Sequence, residues 1–161
     1  MLRTLLAVAE KTLLEPKRKH YHSVQIDELV SEPAELWSYV GQKRQKRWIV
    51  YAYAPETYEI LAYVIGKRNA AMVRKLYQKL KNLQIDTYCT DDWEAFKQVF
   101  SKENHQVGKA YTRQIEGVNT CLRARNRRLV RKTTGFSKKE PYHDASIKIM
   151  FYHRNYCYYT F

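Results

Sequence analysis

Two runs of β-forming residues, separated by four turn-forming ones, set the frame of this chain. Arg47 to Ala54 reads RWIVYAYA and Glu59 to Gly66 reads EILAYVIG. Between them Pro55-Glu56-Thr57-Tyr58 has the length and composition of a hairpin loop. Upstream, Val24 to Leu29 reads as a further strand, with Val24 and Ile26 on one face and Gln25 and Asp27 on the other. The chain therefore opens its sheet with three antiparallel strands.

After Gly66 the hydrophobic period changes from two to that of a helix. Asn69 to Leu83 carries Met72, Leu76, Leu80 and Leu83 at helical spacing, with Asn69 placed to cap it. Ile85 to Thr90 reads as a buried strand, Asp92 to Phe100 as a short helix and Gln106 to Thr112 as one more strand. Ile115 to Arg131 reads as a helix and Lys132 to Lys139 as a loop. The aromatic stretch Tyr142 to Tyr159 fits a helix or a strand. Before the first strand, Met1 to Leu14 reads as a short amphipathic helix and Glu15 to His22 as a basic connector. Val30 to Glu35, with Pro33, reads as a loop, Trp37 to Gly41 as extended and Gln42 to Arg47 as a polar turn. Antiparallel strands followed by crossover helices predict an α/β fold, a mixed sheet flanked by helices. That is the element order of ribonuclease-H-like folds.

The length of 161 residues suffices for one domain with a sizeable core, and 45% hydrophobic residues predict a folded chain. A net charge of +13 and a pI near 9.7 point to nucleic acid as a partner. An anionic membrane fits less well, because no long apolar segment or basic amphipathic anchor stands out. Fourteen tyrosines suit strands and also base stacking, and none is assigned to bases. Cys89, Cys121 and Cys157 are widely spaced, without a C-x-x-C pair, so no zinc module is visible. An odd cysteine count without a secretory signal predicts a cytoplasmic protein.

The charge is clustered. Arg113, Arg123, Arg125, Arg127, Arg128, Arg131, Lys132, Lys138 and Lys139 share one stretch, and Glu116 is the only acid inside it. A carboxylate weakens such a segment's attraction for phosphates, so its presence asks for a separate role. Along the helix, Glu116, Thr120, Arg123 and Arg127 form one stripe, while Ile115, Val118, Leu122 and Leu129 form the core stripe. Two other acids, Asp27 and Asp91, end apolar runs. Three carboxylates from three segments of a basic chain suggest Mg²⁺ held against a nucleic-acid backbone. Each also has a structural reading. Glu116 would sit on a solvated face, Asp91 or Asp92 would cap the following helix, and Asp27 would pair with Arg47 or Lys46.

From Val24 onward the chain resembles bacterial insertion-sequence transposases, in particular the InsB-type enzymes of the insertion-sequence-one family. The matching segments are Ile26-Asp27-Glu28-Leu29, Trp37-Ser38-Tyr39-Val40-Gly41, and Arg47-Trp48 with the strand after it. Then come Thr90-Asp91 with Trp93, Tyr111-Thr112 with Ile115-Glu116 and Asn119, and Arg131-Lys132-Thr133 with Phe136-Ser137-Lys138. The resemblance implies a DDE transposase catalytic domain over residues 23–161, preceded by a helix and connector over residues 1–22. It implies catalytic, metal-binding acids at Asp27, Asp91 and Glu116, and Mg²⁺ or Mn²⁺ as cofactor. It implies DNA contacts from Asn119, Arg123, Arg127, Arg131 and Lys132. It further implies cleavage at transposon ends, strand transfer into target DNA, and a homo-oligomer on double-stranded DNA at the nucleoid. The family's upstream zinc-binding and helix-turn-helix product would join it, because residues 1–21 hold no cysteine. Val30 to Leu36 departs from the family as an insertion between the first acid and the Trp-Ser-Tyr-Val-Gly segment. Two other readings are a non-catalytic DNA-binding remnant that inhibits transposition and a ribonuclease-H-like nuclease.

Overall fold

The computed structural model describes residues 2–29, 38–39, 46–126, 129 and 139–157. Five principal strands lie side by side in the order β4-β3-β1-β5-β6: β1 His20–Glu28, β3 Lys46–Ala54, β4 Glu59–Gly66, β5 Gln84–Thr90 and β6 His105–Val107. A two-residue strand, β2 Ser38–Tyr39, pairs with the start of β3. β3 runs antiparallel to both β1 and β4, whereas β1, β5 and β6 run parallel. This is a ribonuclease-H-like mixed sheet with helices on both faces.

Alternation along β3 shows why both faces must be covered. Val50, Ala52 and Ala54 belong to one buried cluster, and Ile49, Tyr51 and Tyr53 to the other. The first cluster is closed by α2, Ala70–Leu80, and α3, Glu94–Val99, through Met72, Val73, Leu76, Leu80 and Phe96. The second is closed by α4, Arg113–Arg125, and α5, Glu140–Tyr156, through Ile115, Val118, Leu122, Ile147 and Phe151. Asn69 caps α2 as its position suggests, accepting the Met72 N–H at 3.0 Å. At the amino terminus, α1, Leu2–Lys11, packs against α5, and Tyr156 bonds the Glu15 main chain on both its N–H and its carbonyl.

Several boundaries differ from the sequence expectation. β1 starts at His20, because Tyr21 is fully buried and extends the strand into the segment read as a connector. The expected strand from Gln106 to Thr112 stops at Val107. Gly108, at φ +145°, turns the chain into a 3₁₀ turn over Lys109–Tyr111. The aromatic carboxy-terminal stretch is helical, with Pro141 in the first turn of α5. α4 ends at Arg125 rather than Arg131, its cap Asn126 being extended. The Val30 to Leu36 insertion and the Lys132 to Lys138 loop lie outside the described residues.

Candidate active site

The parallel pair β1–β5 brings two of the three acids together. Ile26 stands in register with Thr90, so Asp27 and Asp91 are the next residues on adjacent parallel strands. Both sit at carboxyl ends of strands, where open α/β sheets collect ligands. Gly108 donates its N–H to the Thr90 carbonyl and ends β6 there, sending the chain into α4. Glu116 lies in the first turn of α4, the helix packed on β1.

α4 is fastened to β1 by two polar links, both through residues on the Gln25–Asp27 face. The Ile115 N–H donates to Gln25 Oε1 at 2.9 Å, which satisfies an amide of the helix start. One turn on, Asn119 Nδ2 donates to Asp27 Oδ2 at 2.8 Å and to the Glu28 carbonyl at 3.3 Å. Asn119 Oδ1 in turn accepts from the Tyr51 hydroxyl at 2.7 Å. Asp27 Oδ1 accepts the Glu28 N–H at 2.8 Å. The Asp27 carboxyl is thus fixed on both oxygens by neutral donors.

Burial pushes the Asp27 carboxyl up to about 7 from its ordinary 3.8. The hydrogen bond from the Glu28 N–H opposes this, while the charges of Asp91, Glu28 and Glu116 all add to the rise. Among the described residues no Lys or Arg pairs with Asp27, Asp91 or Glu116. Arg47, the partner considered for Asp27, pairs with Glu140 instead. The three carboxylates do not all close to within 4.8 Å of one another.

Neighbouring acids have their own partners. Glu28 is buried and receives the Arg68 Nε at 2.9 Å, and that guanidinium lies 4.3 Å from the Trp93 ring. Burial raises the Glu28 carboxyl and Arg68 opposes the rise. Asp92 is exposed and pairs with Lys97. Asp91 Oδ1 accepts the Trp93 N–H at 3.1 Å, a capping-type bond just ahead of α3. Glu116 and Thr120 are exposed, with the Thr120 hydroxyl on the Glu116 carbonyl. Arg123 is half-buried, its Nε donating to the Asn119 carbonyl at 3.1 Å.

Asn119, expected at the DNA surface, is 3% exposed and commits its amide to Asp27 and Tyr51. Its position carries a signal: it lies three residues from Glu116 and four from Ile115, on the border between the polar and core stripes. Tyr51 carries none, since its partner is 68 residues away. Arg127, Arg131 and Lys132 lie outside the described residues.

Fold and site together define a ribonuclease-H-like domain that gathers acids at the carboxyl ends of its central strands. The chain belongs to the IS1 transposase family, whose model matches residues 28–158. The matched span begins directly after Asp27. The iso-IS1n InsB protein of Shigella dysenteriae is 38% identical over 129 residues, covering 77% of this chain and 98% of that relative. The IS1 InsB protein of Shigella flexneri is 35% identical over 117 residues, covering 73% of this chain and 89% of its own length. The IS1 4 InsB protein of Escherichia coli K12 is 35% identical, covering 73% and 70%. Among the described residues, no helix is long and apolar enough to cross a membrane.

Proposed function

We propose that this chain is a DDE-type transposase catalytic domain that cuts at transposon ends and joins the freed 3′-hydroxyl to target DNA. The observation that carries the reading is the register that sets Asp27 beside Asp91 at the carboxyl ends of β1 and β5, with Glu116 in the first turn of the helix packed on β1. Mg²⁺, or Mn²⁺, fits such a hard oxygen set, and Asp27, Asp91 and Glu116 would hold it. When bound, the metal activates the attacking oxygen and stabilises the leaving oxygen at a phosphodiester.

The protein's own part is positioning. Asn119 holds Asp27 in one orientation, with Tyr51 fixing the amide of Asn119. Asn119 therefore acts behind the site rather than on the DNA. Arg123, with Arg127, Arg131 and Lys132, supplies phosphate contacts along the approach to Glu116. Double-stranded DNA is the partner, bound by more than one copy of the chain at the nucleoid. The upstream zinc-binding product of the same element supplies recognition of the ends. Residues 1–22 supply an amino-terminal helix and connector to the catalytic unit of residues 23–161, with His20 to His22 already entering its central strand.

The test is Mg²⁺-dependent strand transfer by the chain fused to that upstream product, or on pre-cut ends at high concentration. Asp27→Ala, Asp91→Ala and Glu116→Ala should each abolish joining while leaving non-specific DNA binding intact or slightly tighter. Asp92→Ala should matter far less, since its carboxylate pairs with Lys97. Retained joining in Glu116→Ala would sink the mechanism. Cleavage without joining would indicate a nuclease, and binding with neither reaction would indicate a non-catalytic inhibitor.

A further inference from the structure

The opposite end of the same strand pair carries a second cluster of ligating side chains. His20 and His22 are two residues apart on β1 and so project from one face. Asp86 lies on β5, one residue beyond the Tyr21–Ile85 pair, and so level with His22. His20 Nε2 is 2.9 Å and His22 Nδ1 3.2 Å from the same oxygen, Asp86 Oδ2. The two rings stand 5.0 Å apart at 73°. One ligating atom from each side chain falls within 4.8 Å of the others, the one such His, Cys, Asp and Glu group among the described residues.

As a surface ion pair this arrangement would contribute little, because the side chains are 44%, 77% and 45% exposed. Its geometry suits something else. Ligands at zinc distances of 2.0–2.2 Å in a tetrahedron lie roughly 3.4 Å from one another. The two nitrogen-to-oxygen separations are already close to that value, so closure on an ion needs only small side-chain rotations. Two imidazoles and one carboxylate also leave a fourth position for water. Imidazole favours Zn²⁺, Ni²⁺ or Co²⁺ over Mg²⁺. Both strands place the cluster five residues before Asp27 and Asp91, roughly 16 Å along the sheet. The two sites are therefore distinct in place and in ligand chemistry.

We propose that His20, His22 and Asp86 form a mononuclear site for a borderline transition-metal dication, Zn²⁺ foremost, which clamps the start of β1 to the start of β5. The proposal is independent of the catalytic reading, since it involves none of its residues. In sequence β2, β3, β4 and α2 all lie between the two parallel strands, so a clip between their first residues closes a long loop.

The experiment uses the full, metal-stripped chain carrying Cys121→Ser and Cys157→Ser, which removes the more accessible thiols as competing ligands. Calorimetric titration with Zn²⁺ should show one ion per chain, and Zn²⁺ should raise the Tm. His20→Ala, His22→Ala and Asp86→Ala should each weaken binding by more than about a hundredfold, because loss of a direct ligand exceeds the 10–100-fold cost of an outer partner. They should also remove the Tm response. Circular dichroism should show all three folded, given their exposure. Asp27→Asn should leave Zn²⁺ affinity unchanged. Absence of stoichiometric binding, unaltered affinity in His20→Ala, or loss of affinity in Asp27→Asn would each overturn the proposal.

Discussion

The two faces of the sheet pair an apolar core with different polar partners. The face under α2 and α3 is closed by Val24, Ile26, Val50, Leu76, Leu80 and Phe96, and its one buried acid on β1, Glu28, is paired to Arg68. The face under α4 and α5 has an equally buried core of Ile49, Ile115, Val118, Ile147 and Phe151, yet Gln25, Asp27, Tyr51 and Asn119 form a polar seam beside it. The difference follows from strand alternation. Val24 and Ile26 of β1 meet the apolar cluster, whereas Gln25 accepts an amide of the helix start and Asp27 the side-chain amide of Asn119. Among the described residues the first face holds the larger buried cluster. On the second, burial raises the Asp27 carboxyl.

The comparison can be broken hardest on the first face. Phe96→Ala removes a fully buried ring that packs on Trp93 and Phe100. It should cost about 3–5 kcal/mol in denaturant unfolding. A cost under about 1 kcal/mol would mean that this face is not where stability resides.

Asp27→Asn tests the seam and should act in the other direction. The native carboxyl binds its proton near pH 7, whereas the unfolded one does so near 3.8. Between those values the native state holds a proton that the unfolded chain has lost, so metal-free stability should fall as pH rises from about 4 to 7. An amide carries no such charge but cannot keep both of Asp27's accepted bonds. The net result should be a variant roughly 2 kcal/mol more stable than the parent at about pH 8, with the gap closing as pH falls and reversing in sign by about pH 4. Thermal melts across that range check it. A gap independent of pH would remove desolvation as the cause.

Asn119→Leu should cost about 1–2 kcal/mol, the penalty for leaving Asp27 Oδ2 and the Tyr51 hydroxyl without their partner. Strand transfer should fall much further than stability accounts for, with non-specific DNA affinity unchanged. Equal losses in DNA affinity and joining would return Asn119 to the DNA surface. Smallest in energy is Arg123→Ala, at the outer margin of the seam. It should lower the slope of log affinity against log salt by about 1. An unchanged slope would make Arg123 a packing residue for α4, held by its bond to the Asn119 carbonyl.

Elements with a strong local signal are legible in the sequence: the hairpin at Pro55–Tyr58, α2 with its Asn69 cap, and the core stripe of α4. Boundaries governed by distant contacts are not. His20 to His22 reads as a basic connector, because the burial of Tyr21 depends on Ile85 and on Glu59, which accepts its hydroxyl at 2.6 Å. The His20–His22 pair is likewise silent in the sequence, since its third ligand lies 64 residues beyond His22 on β5.

By itself the sequence determined the alternation of strand and helix, the basic charge and the three candidate acids, because these are properties of composition and period along one dimension. Tertiary structure decided that Ile26 pairs with Thr90, that Asp27 is desolvated, and that Asn119 faces inward to hold it. Strand register, burial and a side chain's partner depend on segments far apart in the chain, and only the packed sheet brings those segments within hydrogen-bond reach.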